Sequence, residues 1–232
     1  VTTGTGSGKT ECFMIPLVNE LLQSIDNTHS VKAIFLYPLN ALMEDQKERL
    51  QKLLDDGGNR SLTFAVYNGN LPDRRNDDNE DDIDREKKSY PNIVATRDEL
   101  HRFGADIILT NPTMLEYMLI RDKDQHLFES NSLRWIVVDE AHTFTGAAAT
   151  ELAMLLRRVL NAFGTDKDKL HFAASSATMG NSDDKAKQEK DLRKFISDIS
   201  GISEGKIDVI KGNRNKYTPT EDTEFTRCKK TL

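Results

Sequence analysis

An octad at the start of the chain, Thr3-Gly4-Thr5-Gly6-Ser7-Gly8-Lys9-Thr10, alternates glycine with small polar residues up to a lysine. Glycines at this spacing let successive backbone N–H groups turn inward around a polyphosphate, because no Cβ stands in the way. Gly8-Lys9-Thr10 then opens a helical stretch, and a helix N-terminus favours anions. In such a phosphate loop Thr5, Gly6, Ser7 and Gly8 supply backbone donors. Lys9 would reach the β- and γ-phosphates of a nucleoside triphosphate, and the Thr10 hydroxyl would ligate Mg²⁺. The strict pattern has glycine where this chain has Thr3.

A second chemical cluster, Asp139-Glu140-Ala141-His142, follows the apolar run Trp135 to Val138. Two carboxylates thus emerge at the C-terminal end of an expected strand, the edge at which open parallel sheets bind ligands. An Asp-Glu pair alone is commonplace and can simply cap a helix. With a phosphate loop upstream, Asp139 is expected to hold the metal, and Glu140 to position and deprotonate the water that attacks the γ-phosphate. Neighbouring side chains on a strand point to opposite faces, so this division of labour requires the strand to end there.

The elements that must carry these groups are legible as alternating short apolar runs and stretches of helical period. Residues 32–37, 62–67, 106–110, 135–139 and 171–175 read as strands. Helical faces are carried by Phe13, Leu17, Leu21 and Leu22, with Thr28 and His29 closing that helix. A second face runs from Leu39 to Leu54 before Gly57-Gly58, and others near 112–121 and 147–162. Strands separated by helices imply right-handed crossovers and an α/β fold, with a mostly parallel sheet covered by helices on both faces. A last helix and strand are expected over 192–201 and 207–211, and the polar stretch 211–232 reads as a linker.

Composition narrows the class. The 232 residues carry 32 Lys+Arg against 38 Asp+Glu, a formal charge of −6, with 37% apolar and 30% charged side chains. An acidic balance disfavours binding nucleic acid by bulk charge and leaves local phosphate sites open. The longest apolar runs fall far short of the roughly 18 residues of a membrane span. Two cysteines, Cys12 and Cys228, suit a reducing cytoplasm. Residues 73–88 hold eight acidic and five basic side chains and almost no apolar ones, so they are expected to be a solvated surface insertion. Cys12 is expected to be a small buried hydrophobe. His29, His101 and His126 lack metal-ligand spacing. The chain begins with Val1, two residues before the loop, and such loops follow a strand; part of a longer protein is therefore expected.

Together these residues carry a family resemblance. Gly6-Ser7-Gly8-Lys9-Thr10, Asp139-Glu140-Ala141-His142 and Ser176-Ala177-Thr178 resemble motifs I, II and III of superfamily 2 helicases of the DEAD/DEAH-box type, in their usual order. Tyr37-Pro38-Leu39-Asn40-Ala41-Leu42 with Asp45-Gln46 resembles motif Ia, and residues Leu109 to Leu115 resemble motif Ib. The wording, including Thr143-Phe144-Thr145-Gly146 and Leu155-Leu156-Arg157-Arg158, is similar to large bacterial helicases with a C-terminal zinc-cysteine domain, of the mitomycin-repair and anti-phage defence type.

The resemblance implies that residues 1–210 form the first RecA-like P-loop NTPase lobe, with its first strand truncated, and that 211–232 lead to a second RecA-like lobe. It implies that Lys9, Thr10, Asp139 and Glu140 serve ATP and Mg²⁺, and that His142, Ser176 and Thr178 couple hydrolysis to strand movement. Pro38, Asn40, Thr110 and Pro112 would grip the backbone of a single nucleic-acid strand, DNA rather than RNA by subgroup. Helix-capping and first-turn proline roles equally fit Asn40 and Pro112 as residues. The arginine finger would belong to the second lobe, so these residues alone are expected to be nearly inactive as an ATPase and unable to unwind. Competing readings are a restriction-type DNA translocase, which shares this lobe, and a non-catalytic nucleotide-binding scaffold, disfavoured by the presence of both Lys9 and Glu140. A GTPase fails at Asn215-Lys216-Tyr217-Thr218, which lacks the aspartate of the guanine signature.

Overall fold

The apolar runs become strands because each is too short for a helix and the central ones are buried on both faces, whereas the edge run at 171–174 is only partly covered. The computed structural model describes residues 8–23, 30–56, 61–129, 131–176 and 185–210. Five strands, β1 (Ala33–Leu36), β2 (Phe64–Tyr67), β3 (Ile107–Thr110), β4 (Trp135–Val138) and β5 (His171–Ala174), form one parallel sheet in the order β2-β3-β1-β4-β5. The expected strands at 32–37, 62–67, 106–110, 135–139 and 171–175 are each found, shortened by one or two residues. Registers are direct: Leu36 lies opposite Thr110 on one side and Val138 on the other, and Trp135 lies opposite His171.

Alternation along the strands divides the core between two layers. Ile34, Leu36, Ile108, Ile136 and Val138 face one layer, where they meet Leu115 and Met118 of α5 (Pro112–Ile120), the stripe Leu152, Leu155, Leu156 and Val159 of α6 (Ala147–Ala162), and Ile199 of α7 (Lys185–Ser200). Ala33, Phe35, Ile107, Leu109 and Val137 face the other, with Phe13, Leu17 and Leu21 of α1 (Lys9–Gln23) and Met43, Leu50 and Leu54 of α2 (Asn40–Asp56). Leu17 and Leu21 are fully buried, each contributing about 1.5–3 kcal/mol of transfer free energy. Pro16 sits on the exposed side of α1, where its missing N–H leaves the Cys12 carbonyl without an intrahelical donor.

Two expectations, a strand over 207–211 and a buried Cys12, need correction, and one gains detail. Residues 73–88 are mostly exposed and are ordered in part: Glu80–Ser89 form a helix, α3, anchored by Ile83, which is buried against the α1–α2 layer. Arg75 bridges Glu80 and Asp84, and Lys47 of α2 pairs with Glu86 at 3.0 Å, so opposite charges tie the segment down where apolar area is scarce. Residues 207–210 form no strand, because the Ile207 carbonyl accepts a hydrogen bond from the Arg193 guanidinium in place of a ladder partner; Lys211 lies outside the described residues. Cys12 is exposed. A further helix, α4 (Arg97–Phe103), precedes β3. Among the described residues no helix is long and apolar enough to cross a membrane.

Candidate active site

The C-terminal ends of β4 and β5 and the start of α1 meet at one edge of the sheet. Gly8 has φ +74°, a left-handed conformation that costs glycine nothing, and it delivers the chain into α1 at Lys9. Lys9 is 8% exposed, and its Nζ is buried with no hydrogen-bond partner among the described residues. Its nearest counter-charge is Glu140 Oε1 at 3.7 Å, an ion-pair contact beyond hydrogen-bonding range. A buried ammonium with three unused donors is costly unless an anion completes the site, and a nucleotide phosphate supplies that anion. Thr10, the next residue, is also buried. Thr5, Gly6 and Ser7 lie outside the described residues.

Asp139 extends the ladder one residue past β4, its N–H donating to the Leu36 carbonyl at 2.9 Å. Its carboxylate accepts a short hydrogen bond from the Ser175 hydroxyl. Ser175 is fully buried and works as a clamp: its N–H donates to the Val138 carbonyl at 3.0 Å and its carbonyl accepts from the Ala141 N–H at 2.8 Å. Its hydroxyl oxygen accepts from the Glu140 N–H at 3.2 Å. Burial pushes the Asp139 carboxyl above the usual carboxylate range, and the Glu140 charge pushes it further. The Ser175 hydrogen bond, the Glu140 N–H and the Lys9 charge pull the other way.

Glu140 adopts φ 47° and ψ 44°, a left-handed conformation unusual for a side chain of this size. Strand alternation would send Asp139 and Glu140 to opposite faces; with the reversal at Glu140 its carboxylate contacts Lys9, whose charge also acts on Asp139, at a backbone cost of about 1–3 kcal/mol. Glu140 Oε2 lies 3.2 Å from His142 Nδ1 on the short 3-10 turn Ala141–Thr143. The expected requirement that the strand end at Asp139 is met. The buried Asp139 carboxylate and Thr10 hydroxyl are oxygen donors of the kind that suits a hard divalent cation taking its remaining ligands from phosphates and water. Among the described residues no group of three or more His, Cys, Asp or Glu side chains forms a self-sufficient metal site.

Of the coupling candidates, His142 is one-third exposed beside Glu140, Ser176 is buried just after β5, and Thr178 lies outside the described residues. The strand-contact candidates fall on the adjacent ends of β1 and β3. Pro38 is half-buried, Asn40 is exposed at the first turn of α2, and Pro112 is the first residue of α5. Asn111 caps α5 by accepting from the Met114 N–H at 2.8 Å and donates to Asn40 Oδ1 at 2.8 Å, tying the two helix starts together. Thr110 is fully buried and spends its hydroxyl on the Tyr67 carbonyl at 2.7 Å, so its side chain does not reach this surface. Ser175, Asn111 and Tyr37 were not singled out for roles in the sequence. For Ser175 the signal exists only after strand order is known, because the register that sets Trp135 opposite His171 sets Asp139 opposite Ser175.

Comparison with known proteins places these features in context. The family model described as DEAD/DEAH box helicase matches residues 1–186. The chain is 25% identical to Druantia protein DruE of Escherichia coli (strain UMEA 4076-1), over 92% of this chain and 16% of that protein. It is 28% identical to the ATP-dependent helicase YprA of Bacillus subtilis (strain 168), over 88% of this chain and 24% of that protein. The crystal structure of the DUF1998 helicase MrfA bound to DNA superposes with a TM-score of 0.61 at 25% identity, covering 92% of this chain and 24% of that one. The chain thus spans about a quarter or less of the length of these relatives. With a family model that matches most of its length and a five-stranded parallel sheet of the RecA-like kind, this chain belongs to the DEAD/DEAH box helicase family.

Proposed function

We propose that residues 1–210 are the first RecA-like lobe of an ATP-dependent DNA helicase or translocase, and that 211–232 lead to a second lobe. The observation that supports this reading is the buried Lys9 Nζ, without a hydrogen-bond partner among the described residues and held beside Glu140 at the carboxylate-bearing end of β4. In this reading Thr5 to Gly8 present backbone donors, and Lys9 takes the β- and γ-phosphates of ATP. Thr10 and Asp139 hold Mg²⁺, with Asp139 kept in place by Ser175. The ion, when bound, neutralises charge developing on the transferred phosphate. Glu140 orients the attacking water and accepts its proton, and His142, Ser176 and Thr178 relay the state of the nucleotide to the strand-binding edge. Pro38, Asn40 and Pro112 meet the sugar-phosphate backbone through helix-start N–H groups, a mode that needs no excess of positive charge. DNA is favoured because the crystal structure of the MrfA relative is described as bound to DNA.

The test is ATP hydrolysis and duplex unwinding by the full-length protein on DNA and RNA substrates. Glu140→Gln is expected to lower DNA-stimulated hydrolysis by about 10²- to 10⁴-fold while retaining nucleotide binding. Hydrolysis at the wild-type rate in that variant refutes the assignment of the base, and unwinding confined to RNA refutes the substrate.

A further inference from the structure

The loop after β1 hides a group that the scheme above leaves unused. Tyr37 is fully buried, and its hydroxyl has no hydrogen-bond partner among the described residues. Its ring stacks on Phe35, with centroids 6.4 Å apart and planes 9° from parallel, and it packs within the core layer that holds Phe13 and Met43. Phenylalanine would satisfy that packing equally well, so nothing in the core accounts for the oxygen. A buried polar atom without a partner calls for an explanation in function or in an ordered water.

Its position supplies one. Leu36 lies opposite Val138, and the ladder runs one residue further on both strands, through Tyr37 N–H to the Thr110 carbonyl at 3.0 Å and Asp139 N–H to the Leu36 carbonyl at 2.9 Å. Tyr37 and Asp139 are therefore neighbours on one face, the face of Phe35, Val137 and the first turns of α1. The charged groups acting on the hydroxyl are Asp139, which raises its pKa after the larger effect of burial, and Arg49 of α2, which lowers it. The phenol stays protonated at any physiological pH and can only donate toward the carboxylate. Lys9 Nζ, whose charge also acts on Asp139, is another buried donor without a hydrogen-bond partner among the described residues.

We propose that Tyr37 is a positioning residue of the metal–nucleotide site: its hydroxyl donates, through one ordered water, to the Asp139 carboxylate and fixes the orientation in which that carboxylate meets the cation. Ser175 holds one oxygen of Asp139 from the β5 side; Tyr37 restrains the group from the β1 side. The inference rests on the nucleotide-site reading above and is separable from it by experiment.

The test is binding of a fluorescent ADP analogue to the full-length protein, with magnesium and with EDTA, for wild type, Tyr37→Phe, Asp139→Asn and the double variant. Tyr37→Phe is expected to weaken binding about three- to tenfold with magnesium and not at all in EDTA, the worth of one hydrogen bond. Its melting temperature without ligand should match that of wild type, since the ring and its packing on Phe35 are kept. In the Asp139→Asn background the same substitution should have no further effect, because Tyr37 acts through Asp139. Equal affinity of Tyr37→Phe and wild type under both conditions overturns the proposal. So does an equal loss with and without magnesium, or a lowered melting temperature, either of which marks a packing role. No binding of the analogue by wild type in either buffer would instead sink the nucleotide-site reading itself, and binding indifferent to magnesium overturns the part given to Tyr37 while leaving that reading standing.

Discussion

Replacing Lys9 by methionine should make the ligand-free protein more stable and unable to respond to nucleotide. Methionine has nearly the length of lysine without its charge, so no cavity forms. The substitution removes an 8%-exposed ammonium whose nitrogen makes no hydrogen bond among the described residues, a burial that costs about 1–3 kcal/mol or more. Against this stands the loss of the 3.7 Å contact to Glu140. That side chain remains 23% exposed, so water can resolvate it and the contact is worth at most about 1 kcal/mol. The net gain is about 1–2 kcal/mol, a rise of roughly 2–8 °C in melting temperature for a domain of this size. Scanning calorimetry with and without an ATP analogue checks both halves. At a ligand concentration of a hundred times Kd the wild type should gain about 2.7 kcal/mol and the variant nothing, which inverts their order. A variant that melts below wild type without ligand, or that gains as much from the analogue, refutes the reading of Lys9 as a cation held ready for phosphate.

Two further outcomes follow from the geometry. Burial holds the Asp139 carboxyl above its unfolded value, so protonation favours the folded state and the group destabilises the ligand-free protein as pH rises through that raised value. Asp139→Asn should therefore be more stable than wild type at neutral pH in chemical denaturation. The advantage should vanish below the ordinary carboxylate range, and one that grows on acidification would contradict the sign. Ile83→Ala should cost about 2–3 kcal/mol, the low end for a buried aliphatic side chain on a short peripheral helix. ATPase activity should remain near wild type at temperatures below the lowered melting point; loss of hydrolysis in a folded variant would mean that α3 reaches the nucleotide site.

What the sequence made legible depended on whether the responsible signal was local. The lysine that follows the glycine spacing and the carboxylates after a run of β-formers are local signals, and Lys9, Asp139 and Glu140 lie together at one sheet edge. The spans of β1 to β4 were legible because burial on both faces demands nearly unbroken apolar runs. The helix α3 was not, since ten residues with Ile83 as their one buried side chain carry no period; charge pairs with Lys47 and within the segment do the ordering. The helix α4 did leave a trace, as Thr96 accepts from the Glu99 N–H at 3.1 Å, the threonine-x-x-glutamate start signal. Ser175 and Tyr37 matter through strand neighbours far away in sequence, and no window along the chain contains them together with Asp139.

The hydrogen bond between Asn111 and Asn40 spans 71 residues of sequence and joins the first turns of two helices that follow adjacent strands. Two separate fingers could shift past one another under load. The bond holds the starts of α2 and α5 to one spacing, and because Asn111 also caps α5, a single substitution there would loosen the cap and the link at once.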